Sequence, residues 1–482
     1  ISIKRSGGEA NKIVVRGLSP QYNTITIGGE KVPATDLNDR SVDLNMIPPD
    51  ILSGIEVTKA LTPDQDASSF GGTVNFKLAT APKGGFKINM RFQKGYNELR
   101  NDFDNYKGSI TMSNRYLDEK LGFLVTGNLE RAQRGSDEFD ADYTLIREKR
   151  EGEEFAPITC DGVDLEYRKE VRRRIGFSIL MDYSLPNGKL KFTNFISRLD
   201  RNENITENGY GDNSHSLDFR KSKRQIDIIT NSLSGEHHFD LGIMDWRMSR
   251  TTSFTRYPFN SDFSFTERSA IDQSKLPNQA RPDDLLNAAY NNLETLYLSK
   301  GSFTPQESYG RDYATQLNIE MPYTLSNKIA GFIKFGGKYV NKLKERDRNY
   351  KFSRLDFNNP EWESHHTHYG EPDFEYARSP EGLALFSNYM KPDFNTGDFL
   401  NGEYDFWPGL DRSPGIDGNE LIYLQESYLI DSSYTYSSLA NLDDYEVIEE
   451  VTAGYIMSEI NIGKFLMIMP GVRYENTHAN MT

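Results

Sequence analysis

Three histidines lie close together in the stretch HHTH, at His365, His366 and His368. Imidazole nitrogens at this spacing could bind a transition metal or a haem iron. The chain has seven histidines and one cysteine, Cys160, so no cysteine cage supports such a site. Hydrated loop histidines are the competing interpretation. We predict no metal and no cofactor, and the sequence leaves the role of these three histidines open.

Two stretches place carboxylates at spacings that could hold calcium. They are DEFDADY, residues 137–143, and GIDGNE, residues 415–420. Neither completes a twelve-residue calcium loop. We therefore interpret both as solvated acidic loops.

Motifs for catalysis are absent from the sequence. It has no Gly-x-Ser-x-Gly elbow, no His-Glu-x-x-His helix and no phosphate-binding Gly-Lys-Ser/Thr loop. Carboxylate pairs occur, but no cleft can be assigned to them. We predict that the protein is not an enzyme; a membrane-barrel enzyme would need an inward-facing nucleophile and base, and none can be identified.

Aromatic side chains are frequent between residues 297 and 407, where they alternate with Asn, Asp and Gly. This mixture suits stacking on sugar faces or peptide side chains, with polar groups bonding the edges of a ligand. The same rings could instead anchor the loops to one another or to a surface lipoprotein partner. The candidate substrate-binding residues are Trp362, Tyr369, Tyr376, Tyr404 and Trp407.

The composition restricts the class of protein. A formal charge of -15 over 482 residues argues against binding of nucleic acid. Only 37% of residues are hydrophobic, yet 12% are aromatic, mostly Tyr and Phe, which suit a boundary between apolar medium and water. A large soluble β-protein fits these numbers equally well. No apolar run reaches the ~18 residues of a transmembrane helix, so a closed barrel is the remaining way to span a bilayer.

Period-2 alternation begins at Phe86. In FKINMRFQKGY the apolar residues fall on one face and the polar residues on the other, and LGFLVTGNLE and RIGFSILMDYS show the same pattern. This alternation is typical of strands with one apolar face. Counting such segments predicts about eleven strands.

The connections between these strands favour a membrane barrel over a soluble sandwich. Short linkers (LDEK, LPNG, LSN and IG) separate several pairs, and long excursions span residues 135–170, 258–308 and 351–442. Strict alternation of short turns and long loops is typical of an up-and-down barrel in an outer membrane. We expect a loop helix within residues 281–298, because a Pro-Asp start precedes leucines at helical spacing.

Residues 1–82 have a different pattern. Short strands are predicted in NKIVVRGL, NTITIGGEKVP, SGIEVTKA and GGTVNFKLAT, and MIPPDIL predicts a Pro-initiated helical turn. Gly71 and Gly72 allow a tight bend before the last strand, where a side chain would collide. Charged Arg16, Glu56 and Lys59 at strand positions suit a polar lumen better than hydrocarbon.

The order VVRGL, YNTITIGGEKVP, IPPDILSGIEVTKA, TPDQDASSFGGTVNF resembles the plug domain of the TonB-dependent outer-membrane transporters. The resemblance covers residues 1–82 and implies that they fill a barrel of 22 strands, of which residues 83–482 form about the N-terminal half. We expect the rest of the barrel, and an N-terminal segment that binds TonB, to lie outside the sequence. The plug residues assigned to gating are Arg16, Gly17, Glu56, Gly71, Gly72 and Asn75.

The resemblance further implies active uptake of a nutrient across the outer membrane of a Gram-negative bacterium. The ligand would be an oligosaccharide, a peptide or a siderophore-type molecule, bound between loops and plug, and the chain would contact the lipid bilayer. The alternative is a transporter-like barrel that serves as a scaffold subunit of a larger outer-membrane complex. An intact TonB-binding segment would favour uptake over the scaffold.

Overall fold

The computed structural model describes residues 2–6, 8–349, 351–353, 385–391, 396–410, 414–416, 435–436 and 442–481. The described residues are organised as a small N-terminal unit and a long wall of strands. His365, His366 and His368 lie outside the described residues, as do Trp362, Tyr369 and Tyr376.

The N-terminal unit comprises residues 2–78 and contains two small sheets. A hairpin pairs β1 with β2, and a four-stranded sheet has the order β4-β3-β6-β5, in which β3 and β6 are parallel. The predicted helical turn is a short 3-10 helix, Pro49–Ile51, with proline at its first position. The strands are β1 Ser2–Ser6, β2 Glu9–Val14, β3 Asn23–Ile27, β4 Glu30–Lys31, β5 Leu52–Thr58 and β6 Gly72–Leu78.

The wall is one antiparallel sheet in which strands adjacent in sequence are neighbours in space. Among the described residues this sheet has sixteen strands, and its continuous path runs through eleven of them: β7 to β9, β11 to β14, β16, β17, β22 and β23. The strands β10, β15, β18, β21 and β24 pair beside this path, so the prediction of about eleven strands matches the path but is too low for the whole sheet. The long strands are β7 Lys87–Asn97, β8 Asp102–Tyr116, β9 Leu121–Gln133, β10 Ser136–Leu145, β11 Ile158–Leu185, β12 Gly188–Gly211, β13 Ser214–Phe239, β14 Gly242–Arg268, β16 Gln306–Ser326, β17 Ile329–Arg348, β22 Tyr445–Ile462 and β24 Gly471–Met481. The short elements are β15 Tyr297–Phe303, β18 Lys351–Ser353, β19 Met390–Lys391, β20 Gly415–Ile416, β21 Thr435–Tyr436, β23 Leu466–Ile468, the helix α1 Pro282–Ala288, and 3-10 helices Pro20–Tyr22, Leu44–Met46, Gln273–Lys275, Phe386–Tyr389 and Phe399–Gly402.

One rim of the wall carries the short turns predicted from LDEK, LPNG and LSN. The prediction of strict alternation is wrong at the other rim, where Asp212 and Asn213 alone connect β12 to β13. Both residues have left-handed backbones, with φ of 48° and 55°. Such a pair forms a two-residue turn that matches the twist of the flanking strands, so this hairpin needs no long loop.

Two segments expected as loops contain regular structure instead. Within 135–170, β10 pairs with the first half of β11, so this excursion is a hairpin whose tip is residues 146–157. In 281–298 the helix begins at Pro282 as predicted but ends at Ala288, ten residues short of Leu298. An antiparallel bridge between Ile271 and Ala289 takes the chain out of the helix, so tertiary pairing overrides helix propensity.

The outward face of the wall is apolar and exposed, and the opposite face covers the N-terminal unit. On β7, Met90 and Phe92 are 67% and 73% exposed, whereas Arg91 between them contacts Asp50 of the N-terminal unit. A soluble sandwich would bury the apolar face. This arrangement is that of an up-and-down membrane barrel with a small α/β unit on its inner side. Among the described residues, no helix has the length and apolar character required to cross a membrane.

The wall curves around the N-terminal unit. Arg91 on the first wall strand lies 3.3 Å from Asp50, and Arg473 on the last lies 3.4 Å from Asp66. Because one small unit contacts both ends of the described wall, the inner face must be concave. A shared apolar core fills the middle of this interface, where Phe195, Ile226 and Ile228 of the wall are buried against the unit.

A second core lies at the rim that carries the long connections. There α1, β15 and the described parts of 385–416 pack on the outward side of β11 to β14. The buried side chains of this rim cluster include Tyr167, Tyr210, Phe265, Phe386, Phe406 and Trp407. The long loops therefore have a hydrophobic core of their own.

Candidate functional site: the seam between the N-terminal unit and the wall

The Gly71-Gly72 pair makes a bend that only glycine can occupy without strain. Gly72 has φ of +139°, and a Cβ there would lie 2.6 Å from the carbonyl oxygen of Thr58. A Cβ on Gly71 would lie 2.1 Å from Oδ1 of Asn23. The predicted collision is confirmed, and the bend lets β6 insert between β3 and β5.

Asn75 and Glu56 lie opposite each other on this sheet, on β6 and β5. The Asn75 carboxamide oxygen accepts hydrogen bonds from the Thr26 hydroxyl and the Gly29 backbone N–H, both at 2.9 Å. It therefore fixes the tight turn between β3 and β4. Glu56 is half exposed and forms an ion pair of 3.2 Å with Lys77.

Arg16 and Gly17 form an exposed turn after β2, apart from that sheet. Both backbones are left-handed, with φ of 56° and 74°. Nothing lies within 4 Å of a Cβ built on Gly17, so the glycine serves the backbone conformation and not a close approach. The structure thus brings Glu56, Gly71, Gly72 and Asn75 together on one sheet and leaves Arg16 and Gly17 in a separate loop.

The acidic run before the glycine pair, TPDQDA, connects the N-terminal unit to the wall. Lys334 Nζ lies 2.9 Å from the Asp64 carboxylate. Lys338 Nζ donates to both oxygens of Asp66 at 2.8 Å, and Arg473 lies 3.4 Å from the same group. We call these five residues the acidic latch.

Both carboxylates of the acidic latch are ionised more readily than usual. Burial by itself raises the pKa of Asp66, but the charge and hydrogen bond of Lys338 outweigh it and lower the pKa. Burial likewise raises the pKa of Asp64, and hydrogen bonds from Thr62 and Lys334 reverse this effect. The latch is therefore an ionised network at neutral pH.

A second ionic cluster lies around Glu9 at the start of β2. Its carboxylate contacts Arg134 at 2.7 Å and Arg172 at 2.9 Å, and it also pairs with Arg174. Glu170 forms an ion pair with Arg172 within the wall, so acidic and basic side chains are interleaved in this cluster. We call it the Glu9 cluster.

The pKa of Glu9 falls to about 2. Burial acts to raise it, but the hydrogen bond from Arg174 and the charges of Arg174 and Arg134 favour the ionised form more strongly. Because three arginines surround one carboxylate, protonation of Glu9 would leave like charges facing one another. Glu9 is therefore one of the charged groups that join the N-terminal unit to the wall on this side.

Two cavities with several charged lining residues lie in the seam between the N-terminal unit and the wall, one of them beside the acidic latch. One of about 240 Å³ is lined by Asp66, Gly29 and Asn75 of the N-terminal unit and by Asp312 of β16. A neighbouring one of about 380 Å³ is lined in part by Asp39, Arg40 and Tyr445. Lys31, Asp312 and Lys342 border both cavities. The unit is therefore less tightly packed on this side than at its apolar core.

Two of the five candidate aromatic residues are described, and both lie at the rim cluster. Trp407 is 1% exposed, and its Nε1–H donates to the Pro414 carbonyl at 2.8 Å. Tyr404 is half-buried, and its ring stacks on Phe139 at 4.6 Å between centroids. Burial raises the pKa of the Tyr404 phenol. In these positions both rings connect the loops to one another and to β10, which is what the anchoring interpretation describes.

The stretch DEFDADY lies in β10 and is paired with β11. Asp140 is opposite Asp164 in this pairing, and further along the sheet Glu207 of β12 is opposite Asp218 of β13. Within the described ranges, no group of three or more His, Cys, Asp or Glu side chains has the geometry to hold a metal ion. The part of GIDGNE beyond Ile416 and the three histidines lie outside these ranges.

Sequence reasoning missed the wall residues of the acidic latch and the Glu9 cluster. One signal was present in IKFGGKYVNK, where Lys334, Lys338 and Lys342 recur on the same face of one strand. Nothing in the sequence pairs Lys334 with Asp64 or Lys338 with Asp66, since these partners are separated by 270 and 272 residues.

Residues 1–73 match the family described as the TonB-dependent receptor plug domain. This match covers the N-terminal unit as far as the first residues of β6 and includes Glu9, the acidic run and the glycine pair. No curated protein matches the chain.

Several solved structures are similar over most of the chain but at low identity. A ferric enterobactin receptor of Pseudomonas aeruginosa is 9% identical, with 98% of this chain and 93% of that chain covered and a TM-score of 0.29. The siderophore receptor PirA of Acinetobacter baumannii is 8% identical, with 98% and 86% covered and a TM-score of 0.25. The copper transporter OprC is 9% identical, with 98% and 84% covered and a TM-score of 0.27. At these scores the likenesses carry no argument about the ligand.

Proposed function

We propose an uptake function from the premise that this chain belongs to the TonB-dependent receptors, whose plug domain it carries in residues 1–73. In this proposal the N-terminal unit is the plug of a barrel in the outer membrane of a Gram-negative bacterium. The domain division is 1–82 for the plug and 83–482 for the N-terminal part of the barrel. A nutrient binds between the long loops and the plug, and force delivered by TonB rearranges the plug.

The observation that carries the proposal is the uneven seating of the plug. An apolar core holds it against β12 and β13, whereas on the side of β16 and β17 the ion pairs of the acidic latch hold it and two cavities border it. Breaking ion pairs that are partly exposed to solvent costs less free energy than opening a packed apolar core. The side of β16 and β17 is therefore where a path opens first.

The gating role we assign to the plug residues follows from this geometry. Asn75 and the glycine pair fix β6, an interior strand of the sheet, beside the smaller cavity, which Asn75 and Glu56 line. Asp64 and Asp66 hold the loop before β6 to the wall. Displacement of residues 62–72 would widen the cavity while leaving the apolar core in place. Arg16 and Gly17 form a separate turn through which force could reach β2.

For the ligand we propose an organic nutrient, either an oligosaccharide or a peptide, with a siderophore-type molecule as the other candidate. The aromatic and amide side chains of the long loops support this class, since they suit flat polar-edged ligands. The proposed binding residues are Trp362, Tyr369, Tyr376, Tyr404 and Trp407. Because Trp407 is buried, it would contribute by holding the loop in position. We propose no enzymatic activity.

The scaffold role is the second candidate, and the rim cluster favours it, because a loop region with its own hydrophobic core is a suitable platform for a surface lipoprotein. Purification from native membranes distinguishes the two. Mass spectrometry of small molecules and co-purifying proteins would be followed by uptake assays of any molecule found, in cells with and without TonB. Uptake that stops without TonB supports transport. A stoichiometric protein complex, no bound ligand and unchanged growth without TonB would favour the scaffold.

A further inference from the structure

An open groove of about 670 Å³ lies on the outward face of the wall, on the side opposite the plug. It crosses β11 to β14 and reaches β16. Its apolar floor is formed by Ile175, Phe177, Ile196, Ile229, Phe254 and Tyr309. Side-chain alternation along the strands shows that the groove faces away from the plug. On β14, Arg247 contacts Glu30 of the plug, while the neighbouring Met248 is 54% exposed on the other face.

The groove lies where the outward residues change from apolar to charged. Along β12, counting from the short-turn rim, the outward series runs Leu190, Phe192, Asn194 and Ile196 and then reaches Arg198. On β13 the change occurs at Asp227, which forms a two-contact ion pair with Arg198 at 2.6 and 3.2 Å. Because the apolar part of a membrane barrel faces acyl chains, this level corresponds to lipid headgroups on the side of the long loops.

In the part of the chain that the structure describes, two arginines beside the groove have no carboxylate partner. Arg250 is exposed on the outward face of β14, and among the described residues it has neither a hydrogen bond nor an ion pair. Arg311 on β16 has one hydrogen bond, of 3.4 Å to Asn341, and its Nε is buried without a partner. Both guanidinium groups lie over the Tyr313 ring, at 5.9 and 4.8 Å from its centroid.

Like charges held against one ring repel each other unless an anion lies between them. Arginine binds phosphate with several N–H groups at once, which makes such a pair well suited to a phosphate headgroup. The Arg198–Asp227 pair is neutral overall, so the charge of the groove comes from Arg250 and Arg311. We propose that the groove binds a phosphate-bearing lipid of the surrounding bilayer, with an acyl chain on the apolar floor and the phosphate at Arg250 and Arg311.

This inference rests on the proposed membrane location but not on transport. It is tested with the full-length protein extracted in detergent, supplied with phosphatidylglycerol and examined by native mass spectrometry. The test variant is Arg250→Gln with Arg311→Gln. The matched control is Lys221→Gln with Lys223→Gln, which removes the same charge from outward positions of β13 farther from the short-turn rim. Circular dichroism and the melting temperature establish that each variant is folded.

We expect the arginine variant to retain phosphatidylglycerol about tenfold less than the wild type, because two charge-assisted hydrogen-bonding groups are lost. The lysine control should retain it like the wild type. Ile196→Ser should weaken retention through the floor, and soluble glycerol phosphate should not displace the lipid. These results together would support a lipid site.

Equal lipid retention by the arginine variant would overturn the proposal, as would an equal loss in the lysine control. Displacement by glycerol phosphate alone would also overturn it, since the site would then recognise a free anion. A protein that stays dissolved in water without detergent would remove the membrane premise. A wild-type protein that retains the lipid but supports no nutrient uptake in cells with TonB would contradict the transport function and leave the lipid site supported.

Discussion

Lys338 on the wall donates to both carboxylate oxygens of Asp66 on the plug at 2.8 Å, although 272 positions separate them in sequence. The contact holds the loop that precedes the glycine bend, so the position of β6 depends on a residue of β17. A partly buried ion pair of this kind contributes little net stability when intact, but loss of one partner is costly because the other charge is left in the seam.

Lys338→Met should loosen the acidic latch without unfolding the barrel. Asp66 would keep only the longer contact with Arg473, and we expect a loss of about 1–3 kcal/mol in the stability of this loop. Hydrogen–deuterium exchange of residues 62–70 should become faster. Lys328→Met, in an exposed short turn, is the control and should leave that exchange unchanged. Equal exchange in both variants would show that the latch does not hold the loop.

The Glu9 cluster should make seating of the plug sensitive to acid. The pKa of Glu9 is lowered from 4.5 to about 2 in the folded protein, so its stabilising effect is complete above pH ~4.5 and is lost as pH falls toward 2. A shift of this size corresponds to about 3 kcal/mol. The wild type should therefore exceed Glu9→Gln in unfolding free energy at pH 6, and the two should converge near pH 2.

Denaturant unfolding in detergent at a series of pH values measures this difference. Glu56→Gln is the control, because Glu56 is half exposed and forms only an exposed ion pair with Lys77. Its difference from the wild type should be small at each pH. A difference between wild type and Glu9→Gln that stays constant from pH 6 to pH 2 would count against the cluster as the source of the effect.

Gly72→Ala should destabilise the plug, because its backbone conformation is left-handed and the new Cβ would lie 2.6 Å from the Thr58 carbonyl. We expect a cost of about 1–3 kcal/mol from strain at such a position. Gly54→Ala on the adjacent β5 is the matched control, since nothing lies within 4 Å of its Cβ. Thermal unfolding should separate the two variants, and equal melting temperatures would refute the steric explanation of the glycine bend.

Trp407→Ala should disorder the rim cluster, because the indole is 1% exposed and its N–H bonds the Pro414 carbonyl. Removal of a buried aromatic residue of this size costs about 3–5 kcal/mol. Limited proteolysis should cut within residues 396–410 sooner than in the wild type. Tyr404→Ala, which removes a half-buried ring, should change cleavage much less. If both variants are cut at the wild-type rate, Trp407 does not anchor the loop.

Alternation and turn residues in the sequence were sufficient to predict most of the long wall strands and the face that carries their apolar side chains, although β10 lies where a loop was expected. Strand geometry is local, since side chains alternate at every residue, so these features need no knowledge of the fold. The plug strands and the glycine bend were likewise predictable, because a left-handed or crowded backbone position requires glycine, which is visible in the sequence.

Only the tertiary structure decided which charges meet. Glu9 forms ion pairs with three arginines of the wall, and Asp64 and Asp66 form ion pairs with lysines of β17. These partners lie so far apart in the sequence that no periodic pattern connects them. It also decided that α1 stops at Ala288 and that Asp212-Asn213 closes a hairpin at the loop rim. Ion pairs and strand bridges depend on positions in space, and these follow from the curvature of the whole sheet and not from any one segment.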